Sequence, residues 1–275
     1  MFYLRRLTTV ATRIVHPHLT ATNLVWKSSS LYRPFSVNYP KKVVSTRSIS
    51  FSTSCDKVMA ASKIQLYSLA TPNGMKVGIA LEEMGLEYEA HTIDIRNGEQ
   101  FEPSFVAINP NSKIPAIVDP DGPDGKPITV FESGAILLYL AKKSNKFLPE
   151  EPRLKWETIE WLFFQMAGVG PMFGQFGHFF LFAKEKCKDP YPLERYANEA
   201  KRLLGVLEKR LEGREYIIDA GYTIVDMATF PWVHSLEEKA SDFLEYSKYP
   251  NVIAWKSRCL QRPATIRGLK VCSIS

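Results

Sequence analysis

The chain has 275 residues, 45% of them hydrophobic, enough for one large domain or two small ones with a buried core. No window approaches the roughly 18 uninterrupted apolar residues of a bilayer-spanning helix, which argues against an integral helical membrane protein. A net charge of +6 invites nucleic acid or an anionic membrane as partner, but residues 1–55 hold no Asp or Glu and contribute +8, leaving the rest at −2. Neither partner is expected.

That basic stretch is rich in Ser and Thr. Tyr3, Leu7, Val10 and Ile14 fall at helical spacing, with Arg5, Arg6 and Arg13 off the stripe. This is the composition of a mitochondrial transit peptide, so residues 1–57 are expected to be a disordered leader and the location the mitochondrial matrix. Arg47-Ser48-Ile49-Ser50-Phe51-Ser52 resembles a two-step processing site, with the mature chain beginning near Lys57. Met59 offers an internal start for a cytosolic form. A disordered basic tail is the alternative. Cys55, Cys187, Cys259 and Cys272 form no CxxC pair and have no His at ligand spacing. Reduced thiols are therefore expected, with no zinc site or disulfide framework.

From residue 64 the pattern becomes that of a folded module. Residues 64–67 read as a strand, 74–84 as a helix with Val77, Ala80, Leu81 and Met84 on one face, and Gly85 as its stop. Residues 86–95 read as a second strand, which makes a parallel βαβ start with a right-handed crossover. Residues 116–119 and 128–131 flank a Pro, Asp and Gly cluster and form a hairpin. A helix over 133–143 completes an α/β thioredoxin-like domain, residues 63–149. Polar residues 144–152 form a linker. Helical periodicity over 153–166, 191–211, 224–239 and 253–261 then predicts an all-α C-terminal domain, residues 153–275, with Thr223 and Asp226 as a capping box.

A thioredoxin-like module followed by a helical domain resembles the two-domain plan of the glutathione transferases. Ala70-Thr71-Pro72-Asn73-Gly74, the string 109–119 (NPNSKIPAIVD), the string 131–140 (FESGAILLYL) and Arg262-Pro263-Ala264 are similar to the nu-class and fungal nitrogen-regulator-like group. The resemblance implies the glutathione transferase fold, glutathione as co-substrate and a homodimer. It also implies a glutathione-dependent reduction of disulfides or hydroperoxides, with weak conjugation.

Glutathione needs partners for two carboxylates and an ammonium, a hold on its backbone, and a route to thiolate. Glu132 and Ser133 stand at a strand-to-helix junction, where free N–H groups and the helix dipole favour a carboxylate. The resemblance gives Ser133 the γ-glutamyl carboxylate and Glu132 its ammonium; from spacing alone, a plain helix cap is an equal reading. It also implies a cis Pro115 that exposes the Ile114 backbone to the cysteinyl part. Lys113 and Gln100 match positions serving the glycine carboxylate, and Arg195 matches an arginine that reaches the partner subunit's ligand. The turn after the first strand carries Thr71-Pro72-Asn73 and no Cys, so a protein-thiol exchange lacks its nucleophile. Thr71 and Asn73 would then stabilise the ligand's own thiolate, or simply cap the first helix. Tyr67 reads as packing and His178 as structural. The aromatic stretch from Trp156 to Phe182, broken by Gly168, Gly170, Gly174 and Gly177, is divided between core and an apolar cleft or dimer face. Two other functions stay open: an ordinary transferase acting on electrophiles, and a non-catalytic regulatory protein.

Overall fold

A computed structural model describes residues 63–274; the leader read at residues 1–57 lies outside them. Strand β1 (Ile64–Ser68) alternates buried and half-buried side chains and leads into helix α1 (Pro72–Met84). The helix ends as its sequence predicts, with Gly85 in the left-handed conformation at φ 69°. Strand β2 (Tyr88–Thr92) then pairs parallel with β1, Ile64 against Tyr88 through Ser68 against Thr92. It is half the length read from residues 86–95 because a ladder can run no further than its partner, and β1 stops at the turn into α1.

A single turn, α2 (Pro103–Val106), precedes the hairpin of β3 (Ala116–Asp119) and β4 (Ile128–Phe131). Both hairpin strands lie where the turn residues between them place them. The sheet order is β2-β1-β3-β4, with β3 antiparallel to both β1 and β4. Helix α3 (Ser133–Ser144) closes this thioredoxin-like module.

The rest is helical: α4 (Pro152–Phe164), α5 (Gly170–Gly177), α6 (Pro190–Arg210), α7 (Ile224–Ala240), α8 (Pro250–Leu260) and α9 (Pro263–Gly268). Two π-helical segments, Gln165–Val169 and His178–Phe182, flank α5. The helix read over 153–166 therefore changes pitch near its end, and α5 and α9 were not anticipated. Asp226 anchors the bundle: it accepts from Thr223 N–H at 2.8 Å, Ile217 N–H at 3.1 Å and Trp255 Nε1 at 2.9 Å, fully buried. Burial raises its carboxyl pKa, and these hydrogen bonds oppose the rise.

One core runs through both modules. α1 packs against α3, α7 and α9, and its Val77, Ile79, Ala80 and Leu81 are fully buried. The α1–α9 crossing is closed by two glycines. A Cβ on Gly268 would lie 2.4 Å from the Ile79 Cα, and one on Gly78 2.6 Å from the Gly268 carbonyl oxygen. Ion pairs from Arg262 to Glu83 at 2.7 Å and Arg267 to Glu82 at 2.6 Å flank it.

Candidate functional site

Three junctions of the N-terminal module meet at one end of the sheet. At the first, β1 turns into α1. Thr71 caps the helix, its Oγ1 accepting the Gly74 N–H at 3.4 Å, and a hydroxyl that accepts there keeps its own hydrogen for a second partner. Gly74 is required: a Cβ would sit 1.9 Å from the Leu69 carbonyl oxygen. Asn73 Oδ1 accepts from Trp232 Nε1, on α7, at 3.0 Å. With its oxygen so engaged, the Asn73 amide must offer its NH2 group elsewhere.

At the second junction, buried Asn109 shapes the loop before β3. Its Nδ2 donates to the Lys113 carbonyl at 2.6 Å and its Oδ1 accepts the Asn111 N–H at 2.9 Å. The Ile114–Pro115 peptide is cis, as the resemblance implied. Among the described residues, neither the N–H nor the C=O of Ile114 has a hydrogen-bond partner. Such a stretch can receive an added extended peptide.

The third junction joins β4 to α3. Glu132 lies at φ 70°, ψ 117°, a conformation non-glycine residues adopt only when their surroundings enforce it. It delivers Ser133, buried, as the first residue of α3, where free N–H groups and the helix dipole favour an anion.

These junctions line two adjoining cavities. One, of about 250 Å³, is bounded by Thr71, Asn73, Gln100, Lys113, Ile114 and Trp232. The other, of about 150 Å³, is bounded by Asn73, Asn109, Lys113, Ile114, Pro115, Glu132 and Ser133. Gln100 comes from the turn Glu99–Phe101, and its buried Oε1 is unpaired among the described residues. Arg195 alone of the anticipated residues stands apart. It is exposed on α6, lining a separate 710 Å³ depression with Tyr191, Tyr196 and Arg202.

An apolar cleft of about 460 Å³ opens beside Thr71 and Trp232, walled by Met75, Phe173, Phe176, Phe180 and Phe182. This is where part of the aromatic stretch goes; Phe173 and Phe176 also belong to the core. Tyr67 stacks on His91 with ring centroids 4.7 Å apart. Among the described residues no thiol replaces the missing Cys. The Cys272 carbonyl accepts the Ala70 N–H at 3.1 Å, and burial raises the Cys272 thiol pKa. Among the described residues no group of three or more His, Cys, Asp or Glu side chains is arranged to hold a metal ion.

Sequence reasoning missed Asn109, Trp232 and, above all, Lys76. The Lys76 side chain is buried and donates from Nζ to Gln165 Oε1 at 2.9 Å, to Ser133 Oγ at 3.3 Å and to the Met166 sulfur at 3.8 Å. Burial pulls its pKa down to about 7, against the upward pull of the Glu132 carboxylate. One signal for it was present: Lys76 lies four residues before Ala80 and eight before Met84, on the helix's apolar stripe.

Comparison with known proteins agrees with this geometry. Residues 70–143 match the family model of the glutathione S-transferase N-terminal domain, and residues 169–263 that of the C-terminal domain. Disulfide-bond oxidoreductase YfcG of Escherichia coli K12 is 45% identical over 207 residues, covering 75% of this chain and 94% of that protein. The crystal structure of a glutathione transferase family member from Pseudomonas fluorescens pf-5, with two glutathione bound, is 53% identical. It has a TM-score of 0.75 and covers 76% of this chain and 93% of that one. The glutathione transferase of Pseudomonas putida, with one glutathione disulfide bound per subunit, is 48% identical with the same TM-score, covering 77% and 93%. With this fold, these junction residues and these relatives, the chain belongs to the glutathione S-transferase family.

Proposed function

We propose that the protein binds glutathione across the two cavities and uses its thiol to reduce disulfides or hydroperoxides. The observation that carries this is the convergence of the Ser133 helix start, the unpaired Ile114 backbone and the Thr71 and Asn73 donors around one groove that, among the described residues, offers no protein thiol. In this reading Ser133 receives the γ-glutamyl carboxylate, and Glu132 pairs with the ammonium. Ile114 bonds the cysteinyl unit as an added strand, and Lys113 and Gln100 face the glycine carboxylate. Thr71 and Asn73 donate to the sulfur and favour the thiolate. A second glutathione, or the disulfide substrate, then meets that sulfur from the cleft.

The apolar cleft supports a second reading, conjugation of glutathione to apolar electrophiles. Turnover of 2-hydroxyethyl disulfide and of a chlorodinitrobenzene electrophile, measured side by side, separates the two. Fast conjugation without disulfide reduction reverses their order. Nothing in the groove favours a non-catalytic role.

The working form in this reading is a homodimer in which Arg195 reaches the partner's ligand. Its support is the position of Arg195 away from its own groove, together with exposed Trp156, Phe163 and Tyr191, each more than 60% accessible. A monomer by light scattering, with Arg195→Ala kinetics unchanged, argues against it. Residues 1–57 act in the same reading as a mitochondrial address, supported by their charge and composition. A tagged chain confined to the cytosol in fractionated cells rules that out.

A further inference from the structure

We propose that Lys76 positions Ser133 for the ligand's carboxylate, and that glutathione binding is completed by uptake of one proton from solvent onto Lys76 Nζ. This rests on the reading that the γ-glutamyl carboxylate sits at Ser133. The two charge states of a lysine do different things to a neighbouring hydroxyl. A neutral amine has a lone pair and accepts a hydrogen bond; an ammonium has three hydrogens and accepts none. Ser133 Oγ lies 3.3 Å from Lys76 Nζ. Beside a neutral amine the Ser133 hydroxyl hydrogen is drawn inward. Beside an ammonium the serine oxygen must accept, and its hydrogen turns away, toward the cavity or the Met166 sulfur at 3.6 Å. A carboxylate arriving in the 150 Å³ cavity needs that hydrogen and adds a negative charge near the ammonium, so it selects the charged state.

The surroundings suit such a group. Gln165 Oε1 accepts from Nζ in either state, at 2.9 Å. The Gln165 Nε2 is buried and unpaired among the described residues, so this amide is held in place for its oxygen. Most charges on the elements packed around α1 have partners of their own. On α9, Arg262 and Arg267 pair with Glu83 and Glu82 toward the far end of α1. On α7, His234 pairs with Glu238 and Glu237 with Lys256, while α3 carries Lys142 and Lys143 in its last turn. The charge felt at Lys76 is that of Glu132. With its pKa near 7, Lys76 is shared between both states at neutral pH, where a bound anion can shift it.

S-methylglutathione, which has no thiol to ionise, is the probe. Titration calorimetry in two buffers of different ionisation heat counts the protons taken up on binding. The wild type is expected to take up almost none at pH 6, roughly half a proton near pH 7 and close to one at pH 8. Lys76→Met should take up none across this range and bind about 10-fold more weakly at pH 6.5. Lys76→Arg, permanently charged, should bind with affinity independent of pH. A wild type that takes up no proton between pH 6 and 8 overturns the proposal without recourse to any variant. Lys76→Met with wild-type uptake also overturns it. Ser133→Ala separates the two levels of the argument. If it binds as tightly as wild type, the carboxylate assignment itself fails; if it binds weakly while uptake persists in Lys76→Met, only the role of Lys76 fails.

Discussion

Asn73 shows how one contact decides what a side chain can do. Its amide can present either an oxygen or an NH2 group to a sulfur, and only the second stabilises a thiolate. The Trp232 indole holds the oxygen at 3.0 Å and so settles the choice. Trp232→Phe keeps the aromatic wall and releases the amide. The turnover of disulfide should fall roughly 10-fold, the worth of one hydrogen bond of about 1.4 kcal/mol, with KM for glutathione little changed. Equal losses in KM and turnover would place Trp232 in binding instead. Thr71 and Asn73 were legible as candidates because the turn they occupy is fixed by local chemistry. Trp232 was not, since its partner lies 159 positions away in sequence. Lys76 was hidden by its type, because a lysine on a helix reads as solvated until the helix packed over it is known.

At the scale of elements, strong periodicity carried the reading. The hairpin was legible from the turn cluster between its strands, the first helix from its apolar face and Gly85, and α7 from Thr223 and Asp226. The two misses have different causes. In α5, the glycines that break the pattern give clearance to another helix: a Cβ on Gly174 would approach the Trp232 ring to 3.2 Å. In α9, six residues are too few to show a period. Yet α9 packs so closely on α1 that Gly268→Ala drives a methyl group into the backbone at Ile79. It should cost about 2 kcal/mol or more in urea unfolding, above the usual range for a surface helix. A loss under about 0.5 kcal/mol would mean the crossing can open at no great expense.

Lys76 also marks the stability of the whole molecule. In the unfolded chain it holds its proton to about pH 10.5; in the native state, to about 7. Between these values the unfolded state binds the extra proton, so the native state gains relative stability as pH rises, by up to about 1.4 kcal/mol per unit. The penalty for burying the charge is complete below pH 7 and relieved above it. Urea unfolding at pH 7.5 and pH 9 should therefore show wild type gaining about 2 kcal/mol on Lys76→Met, whose buried methionine does not titrate. Parallel changes in the two proteins would mean that the native state keeps this lysine charged.

The α1–α9 crossing gives the protein an order of assembly. The helix that presents the reactive turn leaves the ribosome long before the helix that seats it. Until residues 263–268 arrive, Gly78 and Ile79 lack their neighbour, and the N-terminal module has an open flank. A nascent chain cannot complete its sulfur site early. The familiar division into two domains describes the architecture, while folding to a competent groove waits for residues 263–268.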